Sequence, residues 1–132
     1  MSGQTLIGNT LQFTDDNKHC FGYGGLIDVI NAEKTLLTFN TNSEYIDSKL
    51  SISNTSGSGD DFRYFIYFND VAVLSYYAGT SDVFNQFSMP QYLIVPPFTT
   101  VKITATNISS ASARSHSCIF TGKVGMPPRV GN

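Results

Sequence analysis

Short stretches in which polar and apolar residues alternate recur along the chain. Residues 49–54 are the clearest, because Leu50 and Ile52 would face an interior while the polar residues between them face solvent. Residues 101–106 repeat the pattern after Pro96 and Pro97, which cannot continue a central strand. A period of two is typical of half-buried β-strands, so both segments are predicted to be strands.

Two longer apolar segments predict a β-hairpin. Residues 62–68 and 71–77 are apolar on both faces and are separated only by Asn69 and Asp70, which tolerate the positive φ angles of a two-residue turn. The two apolar faces allow two interpretations. Either the hairpin lies in the middle of the fold with both faces covered, or a second chain covers its outer face.

The remaining pattern contains only short strands. One further strand is predicted over 20–23 and 26–29, with a kink at Gly24 and Gly25 between the two parts, and others over 36–39, 92–95 and 118–124. The polar run 107–117 is interpreted as a loop, and no segment favours a long helix. The predicted core comprises Leu50, Ile52, Ile66, Val73, Val101, Ile103 and Phe120.

These elements predict an all-β fold. About eight short antiparallel strands indicate a two-sheet β-sandwich of jelly-roll type. The 132 residues are expected to form one domain over 1–132, with extended terminal arms at about 1–10 and 125–132.

Charge and composition narrow the choice of partners. The net charge is −2 without charge runs, so neither nucleic acid nor an anionic membrane is an expected partner. The first residues lack the pattern of a signal peptide, and no apolar run reaches the ~20 residues that span a bilayer. We therefore expect a soluble protein that is made in a cytoplasm.

Motifs for catalysis or metal binding do not occur. His19 and His116 lack metal-ligand spacing and are expected at the surface or at strand ends. Cys20 and Cys118 form neither a CxxC pair nor a zinc knuckle, and two buried, reduced thiols are favoured over a disulfide. Nucleophile-elbow and phosphate-binding motifs are absent. No enzymatic activity, metal or cofactor is expected.

Aromatic residues are the one excess in the composition. Ten Phe and seven Tyr exceed what a small core requires, so some are expected at the surface. Tyr45, Tyr76, Tyr77 and Tyr92 could line a sugar-binding groove, anchor a protein interface or fill a tyrosine-rich core. The candidate interface residues are Phe65, Tyr67, Tyr76, Tyr77, Pro127, Pro128 and Arg129.

The chain resembles the small jelly-roll domains of viral structural proteins, in particular capsid, cement and spike components of phages and environmental viruses. The segments that carry the resemblance are EKTLLTF (33–39), GDDF (59–62), YFNDV (67–71), IVPPFTTV (94–101) and FTGKV (120–124). The resemblance implies a virion protein, made in the host cytoplasm, that forms a homotrimer and contacts the major capsid protein or other virion proteins. It supplies no catalytic residues.

Two hypotheses about function follow. The first is a virion structural protein, such as a minor capsid, cement or decoration subunit. The alternative is a carbohydrate- or receptor-binding module on a virion or tail, in which exposed tyrosines would stack on a glycan. A small cupin-like enzyme is a weaker third possibility, because two histidines without ligand spacing cannot supply a metal site.

Overall fold

The computed structural model describes residues 11–54, 60–78 and 90–125, which contain ten strands and no helix. The all-β prediction is therefore confirmed, and two very short strands account for the excess over about eight. In chain order the strands are β1 (Gln12–Phe13), β2 (His19–Tyr23), β3 (Ile27–Val29), β4 (Lys34–Asn40), β5 (Ile46–Asn54), β6 (Phe62–Phe68), β7 (Val71–Ala78), β8 (Gln91–Val95), β9 (Thr100–Asn107) and β10 (Arg114–Val124).

The strands form two antiparallel sheets, as expected of a β-sandwich. The first sheet has the order β1-β2-β10-β5-β8, with β3 also paired to β10, and the second has the order β4-β9-β6-β7. The eight longer strands pair in nested fashion: β2 with β10, β4 with β9, β5 with β8 and β6 with β7. Among these eight, only the β6–β7 connection stays within one sheet.

The core lies between the inward faces of the two sheets. Alternation places Leu50, Ile52, Ile103 and Phe120 there, all fully buried. Ile66 and Val101 join them, so the predicted core is right at these positions.

Val73 is an error in the predicted core, because it is 47% exposed. The pairing of β6 with β7 shifts register between Ile66 and Tyr67, where Leu74 and Ala72 are their partners, which leaves Val73 as the extra residue of a β-bulge. A bulge re-aims the side chain, and the period-two pattern does not reveal it.

The predicted hairpin is confirmed, with Asn69 at φ 51° and Asp70 at φ 67° in its two-residue turn. The turn is held to β9 because the Asn69 main-chain N–H donates to the Thr100 carbonyl (2.8 Å) and the Asn69 Oδ1 accepts from the Thr100 N–H (2.8 Å). Within the described residues β6 lies between β9 and β7, whereas β7 has β6 on one side only. The hairpin as a whole is therefore not in the middle of the sheet.

The predicted loop over 107–117 is too long. β10 begins at Arg114, and residues 114–116 pair with β3 on one side while His116 also pairs with Asn54 of β5. The strand was hidden because its inward residue at this end is the polar His116, which is fully buried. The connection between β9 and β10 covers residues 108–113 only.

The predicted terminal arms lie almost entirely outside the described residues. Only Gly125 of the second arm is described, and its main-chain N–H donates to the Tyr45 carbonyl (2.7 Å). The described ranges include no helix with the length and apolar character needed to cross a membrane.

Candidate assembly surface

The outer face of the second sheet carries two of the predicted interface residues on β6. Phe65 and Tyr67 both point outward because Ile66, between them, is buried in the core. Their rings stack with centroids 5.8 Å apart. The sequence-predicted pair is thus a continuous aromatic patch on one face of the sheet.

Polar neighbours hold the Tyr67 ring in one position. Its hydroxyl donates to Glu33 Oε2 (2.6 Å), and the Lys102 ammonium lies 4.9 Å from the ring centroid. Hydrogen bonds from Thr104 and then from Tyr67 lower the pKa of the Glu33 carboxyl. An aromatic side chain that is already fixed loses less conformational entropy when a partner binds it.

Tyr77 of β7 lies beyond this patch at the edge of the same face. It is 52% exposed, and the Arg63 guanidinium carbon lies 6.0 Å from its ring centroid. Its hydrogen bond with Asp61 raises the pKa of the phenol. Tyr77 therefore presents an oriented ring to solvent.

The other predicted interface residues do not share this face. Tyr76 is half-buried on the inward side of β7, with its ring 5.1 Å from that of Tyr64. Pro127, Pro128 and Arg129 lie outside the described residues.

Exposed apolar side chains concentrate on the two strands at one side of the sandwich. Of the ten large apolar side chains exposed in the described residues, five lie on β7 or β8: Val71, Val73, Tyr77, Tyr92 and Ile94. Among the described strands β7 and β8 are the outermost of their sheets, and they lie towards the same side of the sandwich because β2 and β10 contact β4 towards the other side. We call this the β7–β8 side.

The two strands themselves carry no charge, although Asp61 and Arg63 lie beside Tyr77. Neither strand contains Asp, Glu, Lys, Arg or His, and neither contains Pro. Charged residues and prolines are the usual means by which soluble proteins prevent an edge strand from pairing with another chain. Within the described residues these two strands are therefore the candidate surface for contact with another protein.

The surface also has two depressions, one away from the β7–β8 side and one beside Tyr92 of β8. The larger, about 760 Å³, is at the end of the sandwich and is lined by residues of both charges, among them Asp16, Lys18, Glu44 and Lys123. The smaller, about 430 Å³, lies on the outer face of the first sheet beside Tyr92, which is 72% exposed. Tyr45, in contrast, is half-buried and lies against Gly125.

The two histidines occupy different environments. His19 is exposed at the start of β2, as expected, whereas the expectation of a surface or strand-end position is wrong for the fully buried His116. The Tyr64 hydroxyl lies 2.9 Å from His116 Nε2, and His116 Nδ1 lies 3.1 Å from the Arg114 carbonyl oxygen. A carbonyl can only accept, so Nδ1 carries the proton and Nε2 accepts from Tyr64. Alternation with Cys118 and Phe120, both inward, is the sequence signal that could have found it.

Both cysteines are buried free thiols that the fold keeps apart. Cys20 pairs with Gly122 of β10, and Cys118 lies four residues further along that strand, roughly 13 Å away at ~3.3 Å per residue. A disulfide needs Cα atoms within about 7 Å, so these two cannot be joined without moving the backbone. Burial raises the pKa of Cys20 to about 11 and raises that of Cys118 further. The described ranges contain no cluster of three metal-ligating side chains.

Asp60 has a structural role at the opposite end of the sandwich. Its Oδ2 accepts from Arg114 Nε (2.7 Å), from Asn107 Nδ2 (3.0 Å) and from Ser110 Oγ (3.0 Å). These hydrogen bonds, that of Arg114 most of all, lower the pKa of Asp60 to about 2. The carboxylate thus ties the segment before β6 to the β9–β10 connection.

Comparisons of the chain with protein-family models, with curated proteins and with solved structures found no match.

Proposed function

We propose that the protein is a structural subunit of a virion, of the minor-capsid, cement or decoration kind, which acts by protein–protein assembly. The observation that carries the proposal is the β7–β8 side, where half of the exposed large apolar side chains of the described residues lie on two strands that contain no charged residue. Tyr77 of β7 lies on the outer face of the second sheet, and Tyr92 and Ile94 of β8 lie on the outer face of the first, so each sheet contributes an exposed apolar area beside its outer strand. Exposed apolar areas are typical of interaction surfaces, and the fixed aromatic patch of Phe65 and Tyr67 extends the area on the second sheet.

The strand pairing supports a jelly-roll topology for the proposed subunit. A jelly roll consists of eight strands in two sheets. The nested pairing of β2 with β10, β4 with β9, β5 with β8 and β6 with β7 is the arrangement that one long hairpin gives when it is wound into two sheets. This topology fits the resemblance to viral structural domains, although a fold by itself does not determine function.

The proposed partners are further copies of the chain, as a homotrimer, and the major capsid protein or another virion protein. A specific contact would bury about 800 Å² or more on each partner. Binding of the purified protein to capsids that lack it, followed by sedimentation, tests the proposal. We expect co-sedimentation that is lost in a Val73→Ser, Tyr77→Ser double variant and kept in Tyr23→Ser, which removes an exposed tyrosine from the other sheet. A protein that never binds such capsids would refute the proposal.

The alternative, binding of a carbohydrate receptor, is favoured by the depression beside Tyr92. Asp47, Lys49 and Thr121 line it with groups that donate or accept hydrogen bonds, and the exposed Tyr92 ring could stack on a sugar. Titration with a panel of oligosaccharides, observed by the NMR signals of the Tyr92 ring, tests this function. Saturable binding that Tyr92→Ala abolishes, together with no binding to capsids, would place the alternative ahead.

A further inference from the structure

Side chains from four strands of the first sheet form one row on its outer face. Thr121 of β10 pairs with Phe21 of β2 on one side and with Lys49 of β5 on the other. Lys49 pairs in turn with Tyr92 of β8, and both of these side chains are exposed. The two aromatic residues are therefore three strand spacings apart, roughly 14 Å at ~4.8 Å for each spacing. We call these four residues the cross-strand row.

An open depression of about 430 Å³ follows this row across the sheet, and Lys49, Thr121 and Tyr92 line it. It reaches His19 on β2, and Gly122 of β10 also belongs to its lining. Thr121 and Gly122 are small next to the long side chain of Lys49, which leaves space over β10. A ligand in the depression would therefore lie across the strands, along the cross-strand row.

The depression offers polar side chains that the protein itself does not use. Among the described residues, the side chains of Asp47, Lys49 and Thr121 take part in no hydrogen bond or ion pair. On the outer face of the second sheet, in contrast, the Tyr67 hydroxyl donates to the Glu33 carboxylate, so these two groups already satisfy each other. The first sheet is therefore the one whose outer face has donors and acceptors available to a ligand.

This combination of groups matches the chemistry of a sugar, which has an apolar ring face and hydroxyl groups that both donate and accept hydrogen bonds. The lining contains one lysine and one carboxylate, Lys49 and Asp47, whose charges balance, so an uncharged sugar is favoured over an acidic one. We propose, as a refinement that rests on the carbohydrate-binding alternative above, that a neutral oligosaccharide lies across the strands in the cross-strand row. One sugar unit stacks on Tyr92, and another contacts Phe21.

The Phe21 end of the row is a platform of two rings. The rings of Phe21 and Tyr23 have centroids 5.2 Å apart, and Tyr23 is 58% exposed. Rings that already pack on each other lose less conformational entropy when a ligand covers them. Because the two ends of the row are ~14 Å apart, a single sugar contacts only one end, whereas a longer oligomer contacts both. Affinity should therefore increase with the length of the oligosaccharide.

Calorimetric titration with glucose, mannose and galactose oligomers, from monosaccharide to hexasaccharide, tests the footprint. We expect the affinity to increase with length until the oligomer spans the row. Phe21→Ala should lower the affinity of the longest oligomers about two- to tenfold, which is the strength of one aromatic contact, and leave that of a monosaccharide bound at Tyr92 unchanged. Thr121→Tyr, which places a ring in the middle of the row, should abolish the gain with length.

Tyr77→Ala is the matched control, because it removes a comparably exposed tyrosine from the outer face of the second sheet. It should bind every oligomer like the wild type, and circular dichroism verifies that all variants fold. A loss of affinity in Tyr77→Ala equal to that in Phe21→Ala would overturn the inference.

The inference can fail without the carbohydrate-binding alternative failing. If Tyr92→Ala abolishes binding but the affinity depends neither on oligomer length nor on Phe21, the sugar lies at Tyr92 alone and the extended footprint is refuted. If the wild type binds none of the oligomers, the inference and the carbohydrate-binding alternative are both refuted. If, in that case, Tyr92→Ala and Phe21→Ala also lose binding to capsids that lack the protein, the cross-strand row is a protein contact instead.

Discussion

Acidification from pH 7 to pH 5 should destabilise the fold through His116. The ring is fully buried, and its neutral form is satisfied at both nitrogens by Arg114 and Tyr64. The Phe62 and His116 rings pack edge to face, with centroids 4.5 Å apart. Burial lowers the pKa of His116 below its ordinary value of 6.5, since a charged ring would lose its hydration.

The sign and the size of the effect follow from proton linkage. Between the folded and unfolded pKa values of His116, the unfolded chain binds more protons than the folded chain. The contribution of neutral His116 to the free energy of unfolding is therefore fully present above about pH 6.5 and decreases as the pH falls. For a group with an unfolded pKa of 6.5, the loss between pH 7 and pH 5 is at most about 2 kcal/mol. That is a large share of the roughly 5–15 kcal/mol of a typical domain.

Urea unfolding at pH 7 and at pH 5 measures the loss, and His116→Leu is the control because it removes the titrating group. We expect the wild type to lose more stability than the variant over this range. Observation of His116 by NMR gives its folded pKa independently. A folded pKa of 6.5 or above, or an equal loss of stability in wild type and variant, would refute the reasoning.

Three substitutions test other parts of the fold by their thermal or urea unfolding. Tyr64→Phe leaves the buried Nε2 of His116 without its donor and should cost about 1–3 kcal/mol, whereas Tyr64→Phe combined with His116→Leu should cost less than the sum of the single changes. Asp70→Gly should stabilise by about 0.5–1 kcal/mol, because φ at this turn position is 67°, and any destabilisation would contradict the turn geometry. Ile103→Ala should destabilise by about 2–5 kcal/mol, and a cost below 1 kcal/mol would mean that the core is not closely packed there.

The pattern of polar and apolar residues was sufficient to predict the elements whose structure depends on neighbouring residues in the chain. The hairpin turn follows from residues that accept positive φ, and the inward positions of Leu50 and Ile103 follow from alternation. The same alternation sets Phe65 and Tyr67 on one face, so part of the candidate surface could be predicted. These features depend on residues that are close in sequence.

Features that depend on distant partners could not be predicted. Burial of His116 requires the Tyr64 hydroxyl, 52 positions away, and without that partner a polar residue is expected outside. The network around Tyr67 requires Glu33, 34 positions away. The edge position of β7 is a property of the sheet order, because its residues resemble those of a strand that is paired on both sides.

Among the described strands β7 has a neighbour on one side only, and the mismatch between its apolar sequence and that position supports the proposed assembly function. An apolar strand without charge or proline is stable in the middle of a sheet, but at an edge it exposes apolar side chains and main-chain groups to pairing. The bulge at Val73 disturbs only the end near the turn and leaves residues 74–78 in regular register. If a defined partner covers this strand, the apolar side chains of β7 no longer contact water in the assembled state, and the unfavourable free energy of that contact is removed. If no partner does, the same strand favours non-specific aggregation at high concentration, which Ser75→Lys should suppress because it places a charge on the exposed face of β7.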